Sequence, residues 1–238
     1  MGDFLLNMKR GETPVYRVLR SVARFILNNG SLPIPRFFMP ILAGLYHLHS
    51  AVGRMFRRLL MTLYIEPLFR GRCSSVGKNL TLSSLPYILG HSEIVIGDSA
   101  SFGYHFMVIT GRFLDHPRLQ IGNGASFGDH CAVSVNQEVI IEDAVAVGDD
   151  CRITDNDGHP REAALRAQNA PLTARDIRPV RICTGVRIGS GSQVMKGVTI
   201  GEGAVIGPNS VVISSLPPYC YAAGNPAEIR TADWRNAG

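Results

Sequence analysis

The sequence has little with which to cross-link itself. Its five cysteines, Cys73, Cys131, Cys151, Cys183 and Cys220, are odd in number, far apart and never in a CxxC pair. That spacing argues against both a disulfide framework and a zinc knuckle and predicts reduced thiols in a cytosolic setting. Aromatic residues are scarce at 8%, so the interior must be built from aliphatic and small side chains. Neither helical stretch in the N-terminal third carries the roughly 18–20 uninterrupted apolar residues that span a bilayer. The first apolar stretch is short and no small-residue cleavage site follows it, so a cleavable signal is not predicted. Acidic residues are almost missing from the N-terminal third. Residues 1–75 hold 11 Lys/Arg against 3 Asp/Glu (Asp3, Glu12 and Glu66), a net +8, while the remainder holds 13 basic and 16 acidic residues, a net −3. The overall +5 therefore belongs to one segment, which calls for an anionic partner.

What is present is a globular composition, 45% hydrophobic and 18% charged over 238 residues, with 25 glycines. This is enough chain for one large domain, or for one domain with an appendage. The appendage reads as helical. Residues 13–28, TPVYRVLRSVARFILN, open on Thr13 as an N-cap and Pro14 at the first helical position. Val15, Val18, Leu19, Val22, Phe25 and Ile26 fall at helical spacing, Arg17, Arg20 and Arg24 lie off that stripe, and Gly30 ends the run. A second helix over about 40–65 repeats the pattern with Ile41, Leu45, Leu48, Val52, Met55/Phe56, Leu59 and Leu63, and with Arg54, Arg57 and Arg58 in its C-terminal half. Basic and apolar faces on one helix suit the interface of an anionic leaflet, and equally suit packing on the main domain. Nucleic acid is not predicted, because the aromatics sit on the apolar stripes rather than between the arginines.

From about residue 76 the pattern changes to a ladder. Ile182, Ile188, Val194, Ile200, Ile206 and Val212 are each six residues apart. Ile96–Phe102–Val108, Ile121–Phe127–Val133 and Ile141–Val147–Ile153 are shorter runs with the same step. Period six is neither helix nor hairpin. It describes a coil with three faces, one inward aliphatic residue per face, and turns that call for Gly, Asn or Asp at positive φ. Stacked coils complete one apolar core. The expected fold is therefore an all-β core, a left-handed parallel β-helix shaped as a triangular prism over 76–216. The N-terminal amphipathic α-helical extension covers 1–75, and a tail from Pro217 to 238 folds along the prism or across a neighbour. The ladder is interrupted most strongly at 154–181, where a polar loop opens with TDNDGHPREA and register resumes at Ile182.

Residues 185–230, ending in PPYCYAAGNPAEIR, together with the DNDGHP stretch, resemble the hexapeptide-repeat acyltransferases, in the branch of maltose, galactoside, nodulation and surface-polysaccharide O-acetyltransferases. The resemblance covers roughly 76–230 and leaves out the helices. It implies a homotrimer with active sites between subunits, acetyl-CoA as co-substrate held in grooves between prisms, a glycan acceptor and no metal. The position matching the family's general base is His159. Asn136 matches an asparagine that meets acceptor or oxyanion, and is otherwise a turn residue. Asp155 and Asp157 are candidates for orienting His159 or binding acceptor hydroxyls, and alternatively are turn-formers. Coenzyme contacts are expected from Ser192, Lys196, Gly207, Asn209, Gly224 and Arg230. The sequence departs from the family at Ser214, where a lysine is common.

The chemistry agrees. Acyl transfer from a thioester needs a base within reach of the acceptor and donors for the oxyanion. No nucleophile elbow of G-x-S-x-G type is present, which favours direct transfer over an acyl-enzyme. Pro160 confines the backbone of His159 to extended conformations, which aims the ring. The expected location is cytoplasmic, peripheral to the inner face of the membrane. Three alternatives stay open: an N-acyltransferase on an amino sugar, a non-catalytic β-helix scaffold, and a metalloenzyme resembling gamma-class carbonic anhydrases. The last is disfavoured because His91, His105, His116, His130 and His159 form no HxxxxH pair. The arginines of the 161–181 loop fit either a solvated loop or an arm toward a neighbouring prism.

Overall fold

The computed structural model describes residues 14–29, 35–111, 116–173 and 175–236, and the side chains of all of these but 26–29. The Thr13 cap, the Gly30 stop and the Ile26 side chain lie outside the described residues. The chain divides into two compact units, Met1–Phe56 and Arg57–Gly238.

In the first unit, helix α1 (Pro14–Asn29) starts at the proline, whose fixed φ and missing N–H suit a first turn. Its apolar positions Val15, Val18, Leu19 and Val22 are exposed. Helix α2 (Met39–Leu60) begins there and runs 22 residues across the unit boundary without one buried residue. Ile41, Leu45, Leu48, Val52, Met55 and Leu59 are each more than half exposed. The apolar stripe of the sequence is real, and none of the described residues buries it.

The second unit begins earlier than the change of sequence pattern at residue 76 suggests. A π-helical turn, Met61–Ile65, leads into α3 (Glu66–Arg72). Phe69 on α3 is 2% exposed and meets Phe102 edge-on at a centroid distance of 6.0 Å. Arg70 donates to the carbonyls of Val76 and Gly77 at 2.9 Å each and pairs with Glu66 at 2.9 Å. This last helix therefore seals the open end of the apolar core, where the aromatic side chains Phe102, Phe106 and Phe127 collect.

The prism is built of three parallel sheets, and successive strands pass from one to the next. The first sheet stacks β1 (Ser75–Val76), β4 (Glu93–Ile96), β7 (Arg118–Ile121), β10 (Glu138–Ile141), β13 (Val180–Ile182) and β16 (Thr199–Ile200). The second stacks β2 (Thr81–Leu82), β5 (Ser101–Phe102), β8 (Ser126–Phe127), β11 (Ala146–Val147), β14 (Arg187–Ile188) and β17 (Val205–Ile206). The third stacks β3 (Tyr87–Leu89), β6 (Met107–Thr110), β9 (Ala132–Val135), β12 (Arg152–Thr154), β15 (Gln193–Val194) and β18 (Val211–Val212). The architecture is the expected left-handed β-helix. The register matches the six-residue ladder. Ile96, Ile121, Ile141, Ile182 and Ile200 face one another along the first sheet, and Val108, Val133, Ile153, Val194 and Val212 along the third. All are buried.

Two of the three corners turn tightly because each is tied to the rung above it. Asp98 Oδ1 accepts the Lys78 N–H at 2.6 Å, Asn123 Oδ1 that of Asp98 at 2.8 Å, and Asp143 Oδ1 that of Asn123 at 2.7 Å. Glycine precedes Asp98 and Asn123 for a steric reason. A Cβ on Gly97 would fall 2.7 Å from Asn123 Oδ1, and one on Gly122 would fall 2.4 Å from Asp143 Oδ1. The tail stays with its own prism. Tyr221–Ala223 (β19) adds a parallel rung to the second sheet, and Glu228–Thr231 (β20) folds back antiparallel on it.

Candidate active site

The corners between the third and first sheets form one prism edge, and most of the chemistry-bearing residues lie along it. His91 follows β3, His116 precedes β7, Asn136 follows β9, the long loop follows β12, and Lys196 follows β15. Thr154 and residues 180–181 are strand residues, so the loop proper is 155–179 rather than 154–181.

The root of the loop is tied down by buried polar groups. Asp155 is 0% exposed and its carboxylate accepts the N–H groups of Asn136 at 2.8 Å, Gln137 at 2.6 Å and Glu138 at 3.0 Å, and the Asn156 amide at 2.9 Å. Burial raises its pKa, opposed by these four donors, which favour the ionised form. Asn156 bridges Ser134 Oγ at 3.0 Å and accepts the Gly158 N–H at 2.9 Å. The returning strand of the loop closes the base. Arg178 N–H meets the Asp155 carbonyl at 2.8 Å, and Asp157 N–H meets that of Asp176 at 3.1 Å. Asp176 accepts the Thr173 N–H and hydroxyl at 2.8 Å each, which lowers its pKa against the opposing effect of desolvation.

On this base the Gly158–His159 step faces outward. Gly158 adopts φ +78, and His159 is exposed while Pro160 behind it is buried. Among the described residues no side chain hydrogen-bonds the His159 imidazole. Arg166 fastens the outgoing arm by donating to the carbonyls of Pro160 at 3.1 Å and Arg161 at 2.5 Å. A cavity of about 190 Å³ reaches Gly158, the neighbour of His159, and is lined by Arg152, Thr154, Asn156, Asp157, Gly158, Gln193 and Met195.

The structure separates the two aspartates that the sequence offered together. Asp155 faces the interior with both oxygens occupied, so it holds the 136–138 corner and has no oxygen left for an acceptor hydroxyl. Asp157 is partly exposed, lines the cavity and pairs with Lys196 at 2.6 Å and Arg161 at 3.1 Å. Lys196 is engaged further by the Arg175 carbonyl at 3.1 Å, which makes it a tie between prism and loop. Asn136 is 3% exposed, and its Oδ1 is buried without a hydrogen-bond partner among the described residues. Such an unmet acceptor next to the loop root is where a ligand donor would be welcome.

The other coenzyme candidates gather elsewhere, at the edge between the second and third sheets. Ser192 is buried and donates to the Gly207 carbonyl at 3.1 Å. Gly207 lies under Tyr221 and Ala223, so that a Cβ there would come 2.8 Å from the Ala223 Cβ. Asn209 is exposed at φ 54, and Gly224 donates its N–H to Ser210 Oγ at 3.1 Å. Arg230 is exposed, 3.5 Å from Glu228, with Nη2 3.4 Å from the Cβ position of Gly224. Among the described residues no three His, Cys, Asp or Glu side chains converge as a metal-ligand set. Sequence reading missed Asn156, Asp176 and Gly111. The ladder step carries no information about a partner that returns from the loop, such as Asp176, or about the fit of Gly111 under Asn136 on the next rung.

The fold and the repeat define the class: this is a left-handed β-helix built on a six-residue repeat. Residues 179–214 match the family model described as bacterial transferase hexapeptide (six repeats). Among solved structures it is similar to AntD, an N-acyltransferase from Bacillus cereus. An Asp-to-Asn variant of AntD in complex with dTDP and coenzyme A matches at TM-score 0.57 and 21% identity over 72% of this chain and 91% of that one. AntD with dTDP and 3-hydroxybutyryl-CoA matches at TM-score 0.57 and 19% identity, over 72% and 89%. A maltose O-acetyltransferase from Clostridium difficile 630 matches at TM-score 0.46 and 26% identity, over 77% and 83%. No curated protein matches the chain.

Proposed function

We propose that the protein is an acyl-CoA-dependent acyltransferase that moves an acetyl group to a hydroxyl of a saccharide, with His159 as general base. The observation that carries this reading is the position of His159. It is exposed on the tied loop root, next to Gly158 in the wall of a cavity, and among the described residues no side chain hydrogen-bonds its ring. The imidazole takes the proton of the acceptor hydroxyl as the oxygen attacks the thioester carbonyl. The tetrahedral intermediate collapses with cleavage of the C–S bond, and the same proton returns to the leaving CoA sulfur. Asn136 supplies a polar contact near the reacting centre, and Asp157 meets acceptor hydroxyls.

The base and the coenzyme candidates other than Lys196 occupy different edges of one prism, a sheet's width apart. A working site therefore needs the His159 edge of one copy beside the Ser192–Asn209–Gly224–Arg230 edge of another. A closed ring of three prisms provides that meeting, which supports the homotrimer. AntD, which shares the fold, is described with coenzyme A and acylates nitrogen; the same base serves an amine, so amino sugars belong in the acceptor screen.

The uncovered faces of α1 and α2 support peripheral contact with an anionic bilayer. Residues 13–65 contain no Asp or Glu and seven arginines. Apolar side chains beside cations match an interfacial helix. Among the described residues no helix is long and apolar enough to cross a membrane. An acceptor made at the membrane surface, such as a lipid-linked saccharide, fits that placement. The test is release of free CoA thiol from acetyl-CoA across a panel of hexoses, amino sugars and lipid-linked saccharides, with His159→Ala as the control. Turnover that survives in the variant overturns the role of His159.

A further inference from the structure

The edge that presents His159 carries a second polar cavity, lower on the prism, of about 280 Å³. It is lined by Arg72, His91, Ser92, Glu93, His116 and Pro117. Arg72 comes from the end of α3, and its guanidinium donates to the Gly90 carbonyl, the backbone just before His91. That bond fixes the cation over the corner. Among the described residues it is the only acceptor that Arg72 meets, which leaves most of its five N–H donors unused. Ser92 Oγ accepts the Thr110 hydroxyl at 3.0 Å, so its own proton is free to donate. His91 and His116, on adjacent rungs, are both exposed. Among the described residues Glu93 is the one acidic group in the wall, and it faces Arg118 at 3.9 Å, which balances its charge. Buried Pro117 lies between His116 and β7.

We propose that this cavity is an oxyanion subsite that binds a phosphate or carboxylate group of the acceptor. A fixed guanidinium, a free hydroxyl and two imidazoles offer converging donors, the arrangement that charge-assisted hydrogen bonds to an oxyanion require. The inference rests on the acyltransferase reading for its link to His159. Rungs are spaced about 4.8 Å apart, so His116 stands about 10 Å along the edge from the rung that ejects the His159 loop. Asn136 occupies the corner between them. The corner that holds Arg72 is three rungs, about 14 Å, from the rung of the His159 loop, so an acidic oligosaccharide of two or three units lying along the edge would place its charged end against Arg72 and a hydroxyl at His159. The subsite would thus select for charged acceptors over neutral ones.

The experiment titrates the full-length protein with inorganic phosphate, a hexose phosphate, a hexuronic acid and a neutral hexose, following the imidazole proton resonances of His91 and His116. Saturable, salt-competed shifts with the anions and none with the neutral hexose are expected. Arg72→Gln keeps a donor for Gly90 and should weaken anion binding about tenfold, the value of one charge-assisted hydrogen bond. The paired surface changes His91→Asn and His116→Asn should do the same without affecting folding. Binding of phosphates alone identifies a phosphorylated acceptor, and binding of the uronic acid alone an acidic sugar. No saturable anion binding, or undiminished binding in both folded variants, overturns the subsite. Anion binding in a protein that releases no thiol with any acceptor upholds the subsite and sinks the acyltransferase reading instead.

Discussion

The side chain of Asn136 fills the space above Gly111: a Cβ on Gly111 would lie 1.3 Å from Asn136 Oδ1. A glycine on one rung thus makes room for the asparagine of the next, and that asparagine is the one with a buried, unmet oxygen. Gly111→Ala should displace Asn136 and cost about 1–3 kcal/mol of stability, the range for overpacking a filled site. If Asn136 meets the reacting centre, Asn136→Ala should lower kcat by about a hundredfold or more, and Gly111→Ala should reproduce much of that loss. Denaturant unfolding and steady-state kinetics on both variants separate the two effects. A Gly111→Ala protein with full kcat would place Asn136 outside the chemistry.

Lys196 and Arg230 should part ways on mutation. Lys196 bonds Asp157 and the Arg175 carbonyl, so Lys196→Ala should loosen the loop and raise hydrogen exchange over 157–178. Among the described residues Arg230 has only a loose pairing with Glu228, at 3.5 Å. Arg230→Ala should raise the KM for acyl-CoA several-fold with little change in kcat. The opposite pattern would return the phosphate contact to Lys196.

Acid should act on the loop through Asp176. Its hydrogen bonds from Thr173 depress its pKa in the folded state. The contribution is therefore fully present above the ordinary aspartate value of about 3.9 and is lost as pH falls through the lower folded value. As pH falls below the ordinary aspartate value of about 3.9, stability of the wild-type protein should fall more steeply than that of Asp176→Asn. Denaturant unfolding at stepped pH measures both slopes, and equal slopes would contradict the assignment.

Vesicle binding tests the helices. Leu45→Glu with Val52→Glu places charge on the uncovered stripe of α2 and should abolish sedimentation with anionic liposomes, while neutral liposomes bind neither protein. Each glutamate at a bilayer-facing position costs on the order of a few kcal/mol. Undiminished binding of the double variant would remove the membrane from the account.

The prism was legible in the sequence because its rule is local and repeated. One inward aliphatic residue every six positions fixes rung, face and register together, and Ile96 through Ile200 stack as that rule requires. The loop was legible as an interruption, and His159 as the histidine at its root. The distinction between Asp155 and Asp157 was not. Both are short, acidic and two residues apart, and only the corner at 136–138, brought alongside by a full turn of the coil, decides which one turns inward. The boundary at residue 75 was misleading for a related reason. Phe69 lies in helical sequence but belongs to the β-helix core, because the first coil, with Leu82 below Phe102, leaves the end of the core open and α3 closes it.

The claim that His159 is the base is tested most directly by following CoA thiol release from acetyl-CoA with an accepted saccharide, comparing the wild-type protein with His159→Ala. The account predicts a loss of about a hundred- to ten-thousandfold in kcat, the usual contribution of a general base, with the fold and the KM for acetyl-CoA retained. Equal turnover in a folded His159→Ala protein would contradict it.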